Sequence, residues 1–315
     1  MNLRHVFVTI AVSLLLVSTG CGERADPDTL RIGVLPILDT LPMFVADQEG
    51  LFEAQGIEVT FVSAASAAER DQLVQAGEVD GIITDLVALA LYNRDVPRVA
   101  AVRYAMTPTP SFAQFRVMAA QQSGIVGAED LAGVQIGISE GTVIEYVTDR
   151  MLEAEGLSPD GVATLAVPKI PERMALLRSG ELKAATLPEP LASLVMQDGA
   201  VVVVDDTEHL ETSCSVYAFR KETLETSPGA VRGFLAAVSQ ASQIINEDKT
   251  RWDDLLAEEN LVPKPLRGSY ELPDYPGDGT PSRAQFTDAV EWLRETERLA
   301  ADPSYDESVD DAFLP

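Results

Sequence analysis

The sequence predicts an α/β protein of two lobes joined by a two-segment hinge. Three observations carry that expectation. Short runs rich in β-branched apolar residues alternate with stretches of helical period, the pattern of parallel strands linked by crossover helices. The plan runs once from Leu30 to Ala105 and again from about Glu129 to Val204. Two further short strands, Phe115 to Ala119 and Ser215 to Phe219, lead into and out of the second series, so the chain crosses between lobes twice. The expected division is residues 30–114 with 216–315 as lobe 1 and 115–215 as lobe 2.

The opening unit, LRIGVLPILDTLPMFVADQEGLFE, reads as a buried strand over Ile32 to Leu38, a polar turn and a helix carrying Leu41, Phe44, Val45 and Gln48. Asp39 or Thr40 fits the helix N-cap, and Pro42 is tolerated in the first turn. Ile57 to Ser63 is the second strand. The pair Ser66 and Glu69 marks a capping box, and Gly77 ends the helix that it opens. Val79 to Thr84 is a third strand, Asp85 starts a helix to about Asn93, and Pro97 to Ala105 is a fourth strand.

In the second series, strand Val134 to Ile138 passes through Ser139, Glu140 and Gly141 into a helix from Thr142 to about Glu155. Strands Val162 to Val167, Ala184 to Thr186 and Val201 to Val204 alternate with helices Pro171 to Ser179 and Pro188 to Gln197. The tail is helical, with Ser227 and Pro228 capping one long helix and Ser282 with Gln285 opening another. Between them, Pro263 to Pro281 reads as a wrap over lobe 1, buried through Tyr270, Leu272 and Tyr275.

At the other end, Arg4 and His5, the apolar run Val6 to Val17 and the small residues before Cys21 have the form of an export signal over residues 1–20. The site resembles the lipobox of bacterial lipoproteins, with Ser18 where Leu, Val or Ile is usual, which makes Cys21 the expected lipidated residue. Residues 21–29 would form a tether. The one other cysteine, Cys214, is then unpaired and reads as a small buried hydrophobe, so no disulfide is expected. With His5 and His209 as the sole histidines, nothing supports a histidine metal site or a Ser/His triad, and no cofactor is expected. A net charge of -27 without a basic cluster argues against nucleic acid as a partner.

Four strand-to-helix turns converge on the cleft: Asp39 with Thr40, Thr84 with Asp85, Ser139 through Gly141 and Thr142, and Pro188 with Glu189. In an open parallel sheet ligands bind at the carboxyl ends of strands, where helix N-termini favour anionic or hydrogen-bond-accepting groups. Each residue also has a plain reading as a helix cap. Glu145 is read as a capping-box partner of Thr142, and Lys169, Glu172 and Arg173 as a solvated helix face. Glu189, set between two prolines, is a carboxylate on a rigid turn. Tyr104, beside the hinge segment MTPTPSF, is the favoured aromatic contact. The acids outnumber the bases here, which suits a neutral or amine-bearing solute, with Arg103 and Arg116 pointing the other way.

The runs GVLP, LPMFVADQEGLFEAQGIEV, LVQAGEVDGIITD, GISEGTVIEY and the terminal YDESVDDAFLP resemble the periplasmic solute-binding proteins of ABC importers for sulfonates, nitrate, taurine and thiamine pyrimidine precursors. That resemblance covers the chain from Leu30 to its end. It implies a type II periplasmic-binding-protein fold, closure on a small solute, and delivery to an ABC permease. It also implies binding positions at Asp39, Thr40, Thr84, Asp85, Gly141 and Thr142. With lipidation at Cys21, the expected protein is a monomer anchored on the outer face of the cytoplasmic membrane. A pyrimidine or other small nitrogen heterocycle is the first expected solute and a sulfonate the second. The alternative is an enzyme on the same fold, a pyrimidine-precursor synthase or a dehydratase, although the chain lacks the cysteine-rich motif and the histidine of the pyrimidine branch.

Overall fold

Strand β1 (Asp28–Val34) opens the first series, followed by α1 (Leu41–Gln48), α2 (Leu51–Ala54), β2 (Ile57–Ser63), α3 (Ala67–Ala76), β3 (Gly81–Asp85), α4 (Leu86–Tyr92) and β4 (Val99–Met106). The second series is β5 (Phe115–Ala119), β6 (Gln135–Ile138), α5 (Val143–Ala154), β7 (Ala163–Ala166), α6 (Ile170–Ser179), β8 (Ala184–Pro188), α7 (Leu191–Gln197) and β9 (Val201–Asp205). The chain closes with β10 (Ser215–Arg220), α8 (Lys221–Thr226), α9 (Pro228–Glu247), α10 (Asp253–Glu258), α11 (Arg283–Glu295) and α12 (Tyr305–Ser308). The computed structural model describes residues 28–158 and 161–315. The expected export signal, Cys21 and most of the expected tether lie outside these residues. Strand β1 begins at Asp28, inside the expected tether.

The strands form two five-stranded sheets with matching layouts, β2-β1-β3-β10-β4 and β7-β6-β8-β5-β9. In each, three parallel strands meet one antiparallel strand supplied by the segment that has just crossed from the other lobe. Strand β10 runs antiparallel between β3 and β4, and β5 does the same between β8 and β9. Ser215 already pairs with Asp85 in the first sheet.

Local chemistry shifts several boundaries from their expected places. Strand β1 stops at Val34 because Pro36 has no N–H to donate to the ladder, and Leu38–Thr40 forms a 3-10 turn instead. Pro188 stays in β8 opposite Phe115, so α7 starts at Leu191 rather than at Pro188. The Ser282–Gln285 capping box forms as expected, with both reciprocal hydrogen bonds present.

The core lies on both faces of each sheet. One face of the first sheet carries α1 and α9, where Phe234 stacks on Phe52 at 5.4 Å and meets Tyr217 and Phe219 edge-on. The wrap is pinned there as expected: the Tyr275 hydroxyl donates to Leu38 O at 2.8 Å, and buried Arg103 donates to Asp278 Oδ1 and Pro276 O at 2.9 Å each. On the opposite face a single apolar cluster runs through α4, α5 and α11 into both lobes, joining Leu86 and Phe286 to Ile138 and Val147. Polar contacts reinforce that seam. Trp292 Nε1 donates to Asp149 at 2.8 Å, the Tyr146 hydroxyl to Asp288 at 2.6 Å, and Arg298 pairs with Glu145 at 2.9 Å.

Candidate functional site

The carboxyl ends of β1 and β3 in one lobe face those of β6, β7 and β8 in the other. The lobes already touch across this cleft: Leu191, Leu194 and Met174 of lobe 2 pack against the core of lobe 1, and the Tyr270 hydroxyl donates to Glu189 Oε2 at 3.2 Å. Two shallow hollows, one beside Val79 and Arg220 with no room for a water and one of about 30 Å³ beside Gln121 and Asp198, lie at the far ends of the sheets instead.

On the lobe 1 wall, Asp39 is half-buried and accepts a hydrogen bond from the Ser215 hydroxyl. Burial pushes its carboxyl above the usual range. Thr40 is fully buried and turned inward, its hydroxyl donating to Ile37 O at 2.6 Å. Asp85 caps α4, accepting from Ala88 N at 2.8 Å, and burial raises its carboxyl against the pull of Arg70. The Thr84 and Tyr217 hydroxyls are buried without a hydrogen-bond partner.

The lobe 2 wall differs from the expectation in three ways. Gly141, at φ +73°, donates its N–H to Glu145 Oε2 at 2.5 Å. That bond and the ion pair with Arg298 commit Glu145 one residue earlier than a capping box on Thr142 requires. Thr142 itself caps α5, accepting from Ile144 N at 3.2 Å and donating to Ser139 O at 2.7 Å. Glu189 is ion-paired with Arg116 at 2.9 Å, its side chain only 3 % exposed, and Arg116 also approaches Asp205 at 3.7 Å. In lobe 1, by contrast, the Tyr104 hydroxyl donates to Gln285 Oε1 at 2.8 Å, at the start of α11 and not into the cleft. Arg103 is spent on the wrap, so neither expected cation is free.

The third difference is Arg173, read from the sequence as solvated and found fully buried. Its Nη1 donates to Ser139 Oγ at 2.8 Å and to Val167 O at 3.1 Å, while Nε and Nη2 are buried without a partner. No carboxylate pairs with it among the described residues, and burial alone lowers it to about 10. Its stem passes over Gly137, where a Cβ would stand only 3.2 Å from Arg173 Cγ. Ser139, which also donates to Pro168 O at 3.2 Å, thus holds the guanidinium at the ends of β6 and β7. Helical spacing held one clue, since Arg173 shares its inward face with buried Leu177 four residues on.

Comparison with known proteins bears on the fold and the family. A protein of Escherichia coli K12 described as aliphatic sulfonates-binding is 24% identical over 276 residues, covering 85% of this chain and 83% of its own. Among solved structures, the alkanesulfonate-binding protein of Xanthomonas axonopodis bound to MOPS superposes with a TM-score of 0.73 at 17% identity, over 91% of this chain and 99% of that one. The periplasmic aliphatic sulphonate binding protein of Escherichia coli gives 0.75 at 19%, over 90% and 92%. A desulfurization enzyme, DSZB, gives 0.67 at 18%, over 91% and 98%. These likenesses show the periplasmic-binding-protein fold. The family model described as NMT1-like matches residues 23–257, about three quarters of the sequence, and the chain belongs to the NMT1-like family.

Proposed function

We propose that this protein is the exported receptor of an ABC importer, a monomer that closes its two lobes on a small sulfonate and presents it to a membrane permease. The observation that carries the reading is Arg173: a fully buried guanidinium with two unpaired nitrogens and, among the described residues, no carboxylate beside it. An unpaired buried charge is costly, and an anion brought by the solute would relieve it. Guanidinium nitrogens match the paired oxygens of an oxyanion in a way a neutral heterocycle cannot. The sulfonate-binding relatives favour the same solute class, so a sulfonate now stands ahead of a pyrimidine. Lipid attachment at Cys21 would keep the receptor at the outer side of the membrane; a Cys21→Ser variant released into the medium, with its cell-bound fraction lost, is the expected outcome.

The likeness to a desulfurization enzyme motivates the competing reading, catalysis on a sulfur oxyacid. Against it, the one described thiol, Cys214, is buried, and burial raises it far above the ordinary thiol range. Titration calorimetry of the purified protein with short alkanesulfonates tests the receptor reading. Saturable binding with no product formed supports it; a released sulfite or other product would replace it with the enzyme.

A further inference from the structure

The end of α11 reaches into lobe 2 at the point where β6 gives way to α5. Helix α11 closes in a Schellman motif: Arg298 N donates to Leu293 O at 2.7 Å and Glu297 N to Arg294 O at 3.0 Å, with Glu297 at φ +57° where glycine is usual. A non-glycine residue keeps that left-handed conformation only where its surroundings hold it. Its consequence is the direction of Arg298. The guanidinium lies over the Trp292 ring, 5.2 Å from the centroid, and Nη2 donates to both oxygens of Glu145, at 3.2 and 2.9 Å. Glu145 in turn accepts from Gly141 N at 2.5 Å, and a Cβ on Gly141 would stand 3.4 Å from Arg298 Nε. From that glycine the contacts continue into the cleft. The Thr142 hydroxyl donates to Ser139 O at 2.7 Å, and Ser139 Oγ accepts from Arg173 Nη1 at 2.8 Å. Arg298 is thus joined to Arg173 through Glu145, Gly141, Thr142 and Ser139.

Resting on the sulfonate reading above, we propose that Arg298 is a positioning residue for solute binding: it neutralises Glu145 and so holds the Gly141–Thr142 turn on which Ser139 keeps the Arg173 guanidinium. Among the described residues Arg298 is the one cation paired with Glu145. Glu140 approaches the same guanidinium at 3.9 Å, but it is exposed and screened by water. Loss of Arg298 would act twice. The half-buried Glu145 carboxylate would turn toward water and release the Gly141 N–H, and its uncompensated charge beside β6 would oppose an arriving anion. The other polar bonds of α11 to α5 run from Trp292 to Asp149 and from Asp288 to Tyr146 and Arg150. They fasten helix to helix and do not touch the turn. That difference separates positioning from plain support of the seam.

The test is calorimetric titration with ethanesulfonate, together with amide exchange at Gly141 read by NMR, on the unmodified protein, Arg298→Met, the double variant Arg298→Met with Glu145→Gln, and Asp288→Asn. Each is first checked for cooperative unfolding. Arg298→Met should weaken ethanesulfonate by about tenfold and speed exchange of the Gly141 amide. Adding Glu145→Gln, which needs no cation and can still accept from Gly141, should restore most of the affinity. Asp288→Asn loosens the same seam away from the turn and should stay within about twofold of the unmodified protein. Should Arg298→Met fail to fold, Arg298→Lys decides by the same two readings, its shorter side chain keeping the charge and losing about threefold in affinity. An unchanged affinity, an equal loss in Asp288→Asn, or a loss that Glu145→Gln does not restore overturns the positioning role and leaves the sulfonate receptor standing. An unmodified protein that binds no ethanesulfonate overturns both.

Discussion

Tyr270 and Glu189 face each other across the cleft, the phenol of the C-terminal wrap donating to the carboxylate Oε2 of lobe 2 at 3.2 Å. The partner side of that carboxylate is held by Arg116 at 2.9 Å, so Glu189 acts between the lobes as a fixed acceptor. The seam through α4, α5 and α11 lies on the other side of the molecule and joins the lobes by a continuous apolar cluster. Opening therefore has to break the Tyr270 contact and the Leu194 packing before it strains the seam.

Tyr270→Phe removes one hydrogen bond that exists only when the lobes are together. Affinity for a bound sulfonate should fall by roughly fivefold, about 1 kcal/mol, mostly through faster release, with the melting temperature of the free protein little changed. Stopped-flow release kinetics read this directly, and an unaltered release rate would remove the latch.

Arg116→Met leaves the Glu189 carboxylate buried and without its cation. The folded state should lose about 3–5 kcal/mol. Adding Glu189→Gln should restore much of that loss, which denaturant titration of the two singles and the double would reveal; additive effects would mean that the pair is not coupled.

Phe234→Ala empties the centre of the aromatic cluster formed with Phe52, Tyr217 and Phe219. A loss of about 3–5 kcal/mol is expected in urea unfolding. A loss below about 1 kcal/mol would show that α9 relaxes into the gap.

Asp206 ties the two hinge crossings together, accepting from Gln114 N at 2.9 Å, from Phe115 N at 3.2 Å and from the Ser213 hydroxyl. Burial raises its carboxyl from 3.8 to about 6. Because the folded state holds this proton more tightly, the contribution is fully present below about pH 4 and is lost as pH rises through about 6. The stability of the unmodified protein relative to Asp206→Asn should therefore fall by about 2–3 kcal/mol from pH 4 to pH 7. A difference that stays constant, or grows with pH, would contradict the assignment.

Much of the fold was legible because its cues are local. Runs such as Ile57–Ser63 fell on β2 without a change of boundary, and the Ser282–Gln285 pair formed the box that its spacing promised. The antiparallel placement of β5 and β10 was not legible, since pairing across a crossover depends on partners far along the chain. The site was harder for the same reason. Thr40 carries the residue type of a ligand contact, yet its hydroxyl turns back to Ile37 O. Arg173 carries the type of a solvated face, yet the missing side chain at Gly137 opens a buried path for it. Helical period tells which residues face inward; it does not tell whether an inward cation finds a carboxylate.

The most direct test of the central claim is a thermal-shift and calorimetric comparison of short sulfonates with aminopyrimidines on the purified protein. A sulfonate receptor should show saturable one-to-one binding of a sulfonate, with a stability gain of about 2.7 kcal/mol at a hundredfold excess over Kd, and no effect of the pyrimidines. A shift with an aminopyrimidine and silence from every sulfonate would contradict this reading.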